Sequence, residues 1–212
     1  MAEQYFTADP SCESNQKPCA FVYRGRAVSC MTDAGVFSRG ELDDGTRLLL
    51  DALPPLYGEV LDLGCGWGAV GIAVKKAYPD VHVTMADVNR RALDLCRFNA
   101  VRNGITAECV ESDGLAALTG QQFDFIITNP PIRAGKAVVY RMLQESSDAL
   151  ADKGSLYVVI RKQQGAESCM KYLRTLFRSV EKIAKSGGFW VLRAVQPESK
   201  MTAQEESPDA HV

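Results

Sequence analysis

Leu61-Asp62-Leu63-Gly64-Cys65-Gly66-Trp67-Gly68 joins a buried apolar run, residues 60–63, to a stretch of helical patterning, residues 67–78. Three glycines at a strand-to-helix junction let the backbone turn tightly and approach a ligand, with no Cβ in the way and the helix amides aimed at it. Gly64, Gly66 and Ala69 also satisfy the permissive G-x-G-x-x-G/A dinucleotide fingerprint, so the loop alone leaves the cofactor open. A strand feeding such a loop is the opening unit of a doubly wound sheet.

Outward from that loop the alternation continues. Residues 81–86 read as a second strand, Asn89 as the N-cap of a helix whose buried face carries Leu93, Cys96 and Ala100, and Asn103-Gly104 as its left-handed cap. Residues 107–110 and 123–128 are predicted strands, 138–150 a helix, 155–160 a fifth strand, and 166–177 a helix with basic residues on its exposed side. Residues 180–184 and 189–194, separated by Ser186-Gly187-Gly188, are predicted to pair as a hairpin rather than to form another crossover. The predicted fold class is α/β, a Rossmann-like doubly wound sheet, mostly parallel with a C-terminal antiparallel hairpin.

Upstream, residues 21–23 and 27–31 flank Arg24-Gly25-Arg26 as a short N-terminal β-hairpin, and Asp43-Asp44-Gly45-Thr46 precedes a short helix stopped by Pro54-Pro55. The predicted organisation is an extension over residues 1–40, one sheet domain over 41–195, and a polar, proline-containing disordered tail over 196–212.

Composition narrows the function classes. With 212 residues, 46% apolar and 24% charged, the chain can bury one real core. A net charge of -2 gives no general attraction to phosphate, so any nucleic-acid affinity must come from a local basic patch. The seven cysteines are odd in number, dispersed and never spaced C-x-x-C, which points to reduced, mostly buried thiols rather than a disulfide framework or a zinc site. Two histidines, His82 in an apolar run and His211 near the end, exclude a His-rich metal site, and His82 reads as a strand residue. The N-terminus has no apolar signal region and no window reaches the roughly 18 apolar residues of a membrane span, so a cytoplasmic location is expected.

Two further motifs bear on chemistry. Asp87 ends the second strand about 20 residues beyond the glycines, the offset at which a carboxylate accepts from ribose hydroxyls; a helix-start carboxylate is the plainer reading. Asp113, in Glu111-Ser112-Asp113-Gly114, suits either an adenine amino group or a simple Asp-Gly turn. Asn129-Pro130-Pro131-Ile132 follows the fourth strand. Pro130 biases Asn129 away from helical dihedrals, and the two prolines stiffen the segment at the sheet edge where the glycine loop also lies.

In combination, Asp62-x-Gly64-x-Gly66-x-Gly68, the acid after strand two and Asn129-Pro130-Pro131-Ile132 resemble the class I S-adenosylmethionine-dependent methyltransferases. Within them the chain is similar, over about residues 20–195, to the ribosomal RNA small-subunit guanine-N2 methyltransferase family in its single-domain form. That likeness rests on Gly35-Val36-Phe37-Ser38, Asp43, Gly45-Thr46 and the run from Asn129 to Lys136.

The resemblance implies S-adenosyl-L-methionine as cofactor, S-adenosyl-L-homocysteine as product, no metal, and methylation of an exocyclic guanine amine in ribosomal RNA. By it, Gly64, Gly66 and Gly68 line the methionine part of the cofactor, Asp87 holds the ribose, Asp113 contacts the adenine, and Asp62, Cys65, Trp67, Val88, Gly114 and Asn129 complete the cofactor set. Asn129, Pro130, Pro131 and Ile132 become the catalytic motif, in which the Asn129 side-chain oxygen and the Pro130 carbonyl accept from the target amine and favour its tetrahedral form. Ile132 departs from the family, where an aromatic residue is common at this position. Cys65 reads as a packed loop residue.

Arg24 and Arg26 on the hairpin, Arg39, and Arg133 and Lys136 beside the motif are the expected RNA contacts, gathered at one edge, with Arg161 and Lys162 as further candidates. Three other readings stay open: a protein glutamine-amide methyltransferase, an NAD(P)-binding oxidoreductase and a non-catalytic RNA-binding module. The second leaves Asn129-Pro130-Pro131 without a purpose.

Overall fold

The computed structural model describes residues 7–197, and its strands divide their side chains between two cores. Along β6 (Phe123–Thr128), Phe125 and Ile127 enter one apolar cluster while Phe123 and Ile126 enter the other. Along β7 (Leu150–Arg161), Tyr157 and Val159 alternate in the same way with Leu156, Val158 and Ile160. A sheet buried on both faces needs helices on both, which is the doubly wound arrangement.

The chain begins with an antiparallel hairpin of β1 (Lys17–Tyr23) and β2 (Arg26–Thr32), followed by α1 (Asp44–Ala52). The β3 strand (Glu59–Leu63), α2 (Ala69–Ala77), β4 (His82–Asp87), α3 (Arg90–Arg102) and β5 (Glu108–Glu111) form one wound half. The other half consists of β6, α4 (Lys136–Ala149), β7, α5 (Ala166–Leu173), β8 (Phe177–Ser186) and β9 (Phe189–Pro197). The seven-stranded sheet runs β5-β4-β3-β6-β7-β9-β8, parallel through β7 and antiparallel at β9 and β8. Its order reverses at β3, between β4 and β6, and ligands bind at such a switch point. No helix among the described residues is long and apolar enough to cross a membrane.

Several boundaries differ from the sequence reading for local reasons. Gly66, Trp67 and Gly68 remain in the loop, so α2 starts at Ala69. Strand β7 starts at Leu150, directly where α4 ends, because Leu150 already pairs with Phe123 across an irregularity in the ladder. Helix α5 stops at Leu173, where the Thr175 hydroxyl donates to the Tyr172 carbonyl at 2.7 Å, and the buried Phe177 opens β8 instead of ending the helix. Gln196 and Pro197 belong to β9, whose Pro197 pairs with Phe177; the rest of the predicted tail, 198–212, lies outside the described residues.

The N-terminal hairpin packs on α2 and α3, and its Cys19, Phe21, Val28 and Cys30 belong to the same core as those helices. The buried Asn99 on α3 accepts from Met31 N at 2.7 Å and donates to Met31 O at 2.8 Å. Four residues on, Asn103 accepts from Ser29 N at 3.1 Å and donates to Ser29 O at 2.8 Å.

Candidate active site

The loops after β3, β4 and β6 converge at the switch point on a cavity of about 820 Å³. Gly64 N and Cys65 N both donate to Ala86 O, at 2.8 and 3.0 Å, and Gly66 N donates to Asp87 Oδ2 at 2.8 Å. All three motif glycines have positive φ, at 74°, 55° and 90°, which glycine adopts at little cost. Their surroundings differ. A Cβ on Gly64 or Gly66 would meet open space, whereas one on Gly68 would lie 2.9 Å from Cys96 Sγ and Ile72 Cδ1. Gly68, the third glycine of the predicted cofactor loop, has a packing reason of its own: its lack of a Cβ lets α2 close on α3.

Asp62 and Asp87 both line the cavity. Asp62 Oδ2 accepts from Gly71 N at 2.8 Å, and burial pushes its carboxyl up to about 7. Burial also raises Asp87, against the opposing pull of the Asn89, Gly66 and Val88 amides. Asp87 thus pins the loop through one oxygen and starts α3 through the other, which accepts from Asn89 N at 2.9 Å. The helix-start reading is thereby observed, and the ribose reading is carried forward as an expectation for a carboxylate that lines the cavity. Cys65, Trp67, Val88 and Gly114 complete this wall. A contact with Cys96 pulls the Cys65 thiol down, but burial and the two nearby carboxylates outweigh it and push the thiol up to about 12, as expected of a packed residue and not of a nucleophile.

Asn129, Pro130, Pro131 and Ile132 line the other part of the same cavity. The Asn129 amide nitrogen donates to Asp43 Oδ2 at 3.2 Å and to Thr46 Oγ1 at 3.0 Å. Asp43 is the N-cap of α1 and accepts from Thr46 N at 2.9 Å with the same oxygen. A carboxylate can only accept, so this network fixes which end of the amide is nitrogen. Oδ1 receives no donor among the described residues and is left for a ligand. Pro130 O accepts from Ile132 N at 2.9 Å and keeps one acceptor position. Sequence reasoning reached Asp43 and Thr46 only through family likeness, because nothing local ties them to a residue more than eighty positions away.

The segment 33–43 forms a roof over the cavity through Val36, Phe37, Ser38, Leu42 and Asp43. Trp67 Nε1 donates to Phe37 O at 3.0 Å, and Asn89 Nδ2 donates to Gly35 O at 2.9 Å while its Oδ1 caps α3. Arg91 adds bonds to Ala34 O at 2.9 Å and Cys12 O at 2.8 Å. The predicted helix cap and the predicted glycine-loop tryptophan therefore also hold the roof, a role that no sequence signal marked.

The basic candidates separate. Arg133 lines the cavity, and Lys136 stands just outside it, over the Tyr140 ring at 4.9 Å. Arg39 Nε donates to Asn15 O at 2.6 Å and is part of the roof's attachment, not of the cavity wall. Arg24 donates to Leu53 O at 2.7 Å and lies over the Tyr23 and Tyr78 rings. Leu53 and Tyr78 cap α1 and α2 at their C-terminal ends, away from the glycine loop and Asp43, where these helices begin. The expected gathering at one edge is therefore corrected for Arg24 and its hairpin neighbour Arg26, because the hairpin turn docks on the far ends of these helices. Asp113 and Gly114 reach the cavity, with Asp113 Oδ1 paired to Arg141 at 2.6 Å; Arg141, also in the wall, was not anticipated.

Comparison with known proteins agrees with this geometry. The family described as "Methyltransferase small domain" matches residues 27–193. "Uncharacterized protein YbxB" of Bacillus subtilis is 39% identical over 198 residues, covering 92% of this chain and 98% of that protein. "Ribosomal RNA small subunit methyltransferase C" of Vibrio cholerae is 36% identical over 185 residues, covering 84% of this chain but 52% of the relative. Among solved structures, the T. thermophilus 16S rRNA N2 G1207 methyltransferase in complex with AdoMet and guanosine superposes with a TM-score of 0.78 at 25% identity, over 88% of this chain and 52% of that one. The chain thus spans about half the length of these two rRNA methyltransferases.

Proposed function

The chain belongs to the methyltransferase small domain family, and from that premise we propose that it transfers the methyl group of S-adenosylmethionine to the exocyclic amine of a guanine in ribosomal RNA. The observation that carries this reading is the Asn129 amide, held through its nitrogen by Asp43 and Thr46, with Oδ1 left to accept in the cavity that the glycine loop lines. The named relatives, an rRNA methyltransferase and a guanosine-bound neighbour, support the substrate class. A ribosomal substrate would place the protein in the cytoplasm.

The residues present fit the cofactor. Gly64 and Gly66 leave open space where a Cβ would stand, and two desolvated acidic side chains line the same wall, whose ionised forms a cationic ligand would stabilise. In this reading Asp87 accepts from ribose hydroxyls and Asp113 from the adenine amino group, roles supported by the presence of both in the cavity wall. When bound, S-adenosylmethionine supplies an electrophilic methyl group, so the protein's task is to place a nitrogen lone pair in line and exclude water. A guanine amine is a weak nucleophile because its lone pair is delocalised into the ring. Acceptance of its N–H groups by Asn129 Oδ1 and Pro130 O favours the localised, tetrahedral nitrogen of the transition state. Prolines 130 and 131 hold both acceptors in place before substrate arrives.

The test begins with ligand-dependent melting. S-adenosylhomocysteine should stabilise the protein by about 2.7 kcal/mol at a hundredfold excess over its dissociation constant, and NAD should not. Ribosomal RNA from cells lacking the protein should then acquire N2-methylguanine. Stabilisation by NAD alone would remove the cofactor assignment, and methyl incorporation into protein instead of RNA would remove the substrate.

A further inference from the structure

Resting on that reading, the substrate end of the cavity raises a question that Ile132 leaves open. A purine amine presented to Asn129 brings a flat ring with it, and the motif's fourth residue offers no planar face. Planar side chains elsewhere in the wall include Phe37 and Trp67 at the roof and glycine loop, and Arg161 and Phe189 on the β7–β9 ladder, the pair tied to the residues that hold Asn129. Arg161, the last residue of β7, pairs in register with Phe189, the first residue of β9, and its guanidinium carbon lies over the Phe189 ring, 4.8 Å from the centroid. Phe189 is 9% exposed, and its ring edge rests on Gly45, where a Cβ would sit 2.8 Å from Cε1. Gly45 stands between Asp43 and Thr46, the two residues that hold Asn129. The aromatic ring and the acceptor amide are therefore referenced to the same first turn of α1.

Arg161 itself is exposed, and its side chain makes no hydrogen bond or salt bridge among the described residues; what it meets is the ring. This sets it apart from Arg141 in the same wall, whose guanidinium is held by Asp113 and Glu145 at 2.6 and 3.1 Å. A guanidinium seated over an aromatic ring can stack on it with one face covered and one face available, and guanidinium planes accept unstacked bases in this way. We propose that Arg161, seated on Phe189, is the flat wall against which the target purine stacks beside Asn129. The C-terminal hairpin thereby gains a role: its Gly187-Gly188 turn, tied to β7 by Lys162 N donating to Gly188 O at 2.7 Å, carries the ring to the cavity.

The experiment compares wild type with Arg161→Ala, Arg161→Lys, Phe189→Leu and Phe189→Tyr. It measures single-turnover methylation of ribosomal RNA from cells lacking the protein, and fluorescence quenching of 2-aminopurine riboside by protein saturated with S-adenosylhomocysteine. Both Arg161 variants should fold and bind S-adenosylhomocysteine as wild type does. Their methylation at subsaturating RNA should fall by about tenfold to a hundredfold, the usual scale of a lost base-stacking partner, with quenching lost in parallel. Phe189→Tyr should retain both signals and Phe189→Leu should weaken both. Wild-type behaviour of Arg161→Lys would overturn the proposal, because that variant keeps the charge and loses the plane. Wild-type RNA methylation unaffected by either Arg161 variant would also overturn it, while leaving the methyltransferase reading intact. Arg161-dependent quenching in a protein that methylates no RNA would support the purine wall and count against the ribosomal substrate.

Discussion

The two ends of the cavity are built from different materials. At the glycine-loop end, where we propose that the cofactor binds, the wall is shaped by the backbone, with Gly64, Cys65 and Gly66 amides pinned to Ala86 O and the Asp87 carboxylate. At the substrate end it is side chain upon side chain, with Asn129 held by Asp43 and Thr46, which precede it by 86 and 83 positions. A backbone surface is specified by a few contiguous residues and resists changes elsewhere. A side-chain surface depends on every member of its network and can be disabled without disturbing the fold.

The largest expected effect is at the substrate end. Asn129→Ala should lower kcat by about a hundredfold to a thousandfold, as removal of one preorganised polar group from an active site does, while S-adenosylhomocysteine affinity and melting temperature stay close to wild type. Single-turnover methyl transfer and calorimetric titration on one preparation decide it; a near wild-type rate would dissolve the distinction between the two ends. Next is Asp87→Ala, which should weaken cofactor affinity by about 1.5–3 kcal/mol, roughly tenfold to 150-fold, because charge-assisted hydrogen bonds are lost. Here the damage should appear in cofactor binding first, and a variant with unchanged affinity would reduce Asp87 to a loop and helix-start residue.

A smaller effect sharpens the argument about the network. Thr46→Val keeps the volume but removes the hydroxyl that receives Asn129, and about one hydrogen bond's net contribution, roughly 1 kcal/mol, should be lost from kcat with cofactor affinity unchanged. If kcat is unaltered, Asp43 alone orients the amide.

A separate effect, on stability and not on catalysis, concerns pH at the glycine-loop end. Asp62 stands at about 7 in the folded protein against 3.8 ordinarily, so the native state keeps a proton that the unfolded chain releases. The stability this contributes is present below about pH 4 and is lost as pH rises toward 7. Asp62→Asn keeps an acceptor for Gly71 N and has no such titration. Its melting temperature should therefore gain on wild type between pH 4.5 and 7.5, by about 2–4 °C for each kcal/mol that wild type loses. Parallel pH profiles of the two proteins would show that Asp62 titrates alike in both states.

The difference between the ends also explains what could be read in advance. The strand-loop-helix motif, the alternation of elements, Asn89 as a cap and Asn129 at a strand end are legible because each is set by neighbours within a few residues. The sequence could not separate Gly64 and Gly66 from Gly68, because positive φ is common to all three and only the packing of Cys96 and Ile72 tells them apart. Arg24 was placed at the wrong edge for a related reason: a hairpin's pattern fixes its register but not the end of the helix pair on which its turn docks. Arg161 carried a sequence signal as a basic residue at a strand end, whereas its partner Phe189 looked like an ordinary strand residue, since their meeting depends on the antiparallel register of β7 and β9.

The attachment of the N-terminal hairpin to α3 has a consequence for behaviour in a crowded solution. A two-stranded ribbon presents two outer rims of unpaired peptide groups, each a template on which a second chain can add a strand. On the β2 rim, the outward N–H and C=O of Ser29 and Met31 are occupied by Asn103 and Asn99, two side-chain amides one helical turn apart that imitate the next strand. On the β1 rim, Pro18 faces Met31 across the ladder, and so its missing N–H falls among the outward groups. One rim is occupied by imitation and the other is blunted by omission, which guards the ribbon against strand-to-strand aggregation.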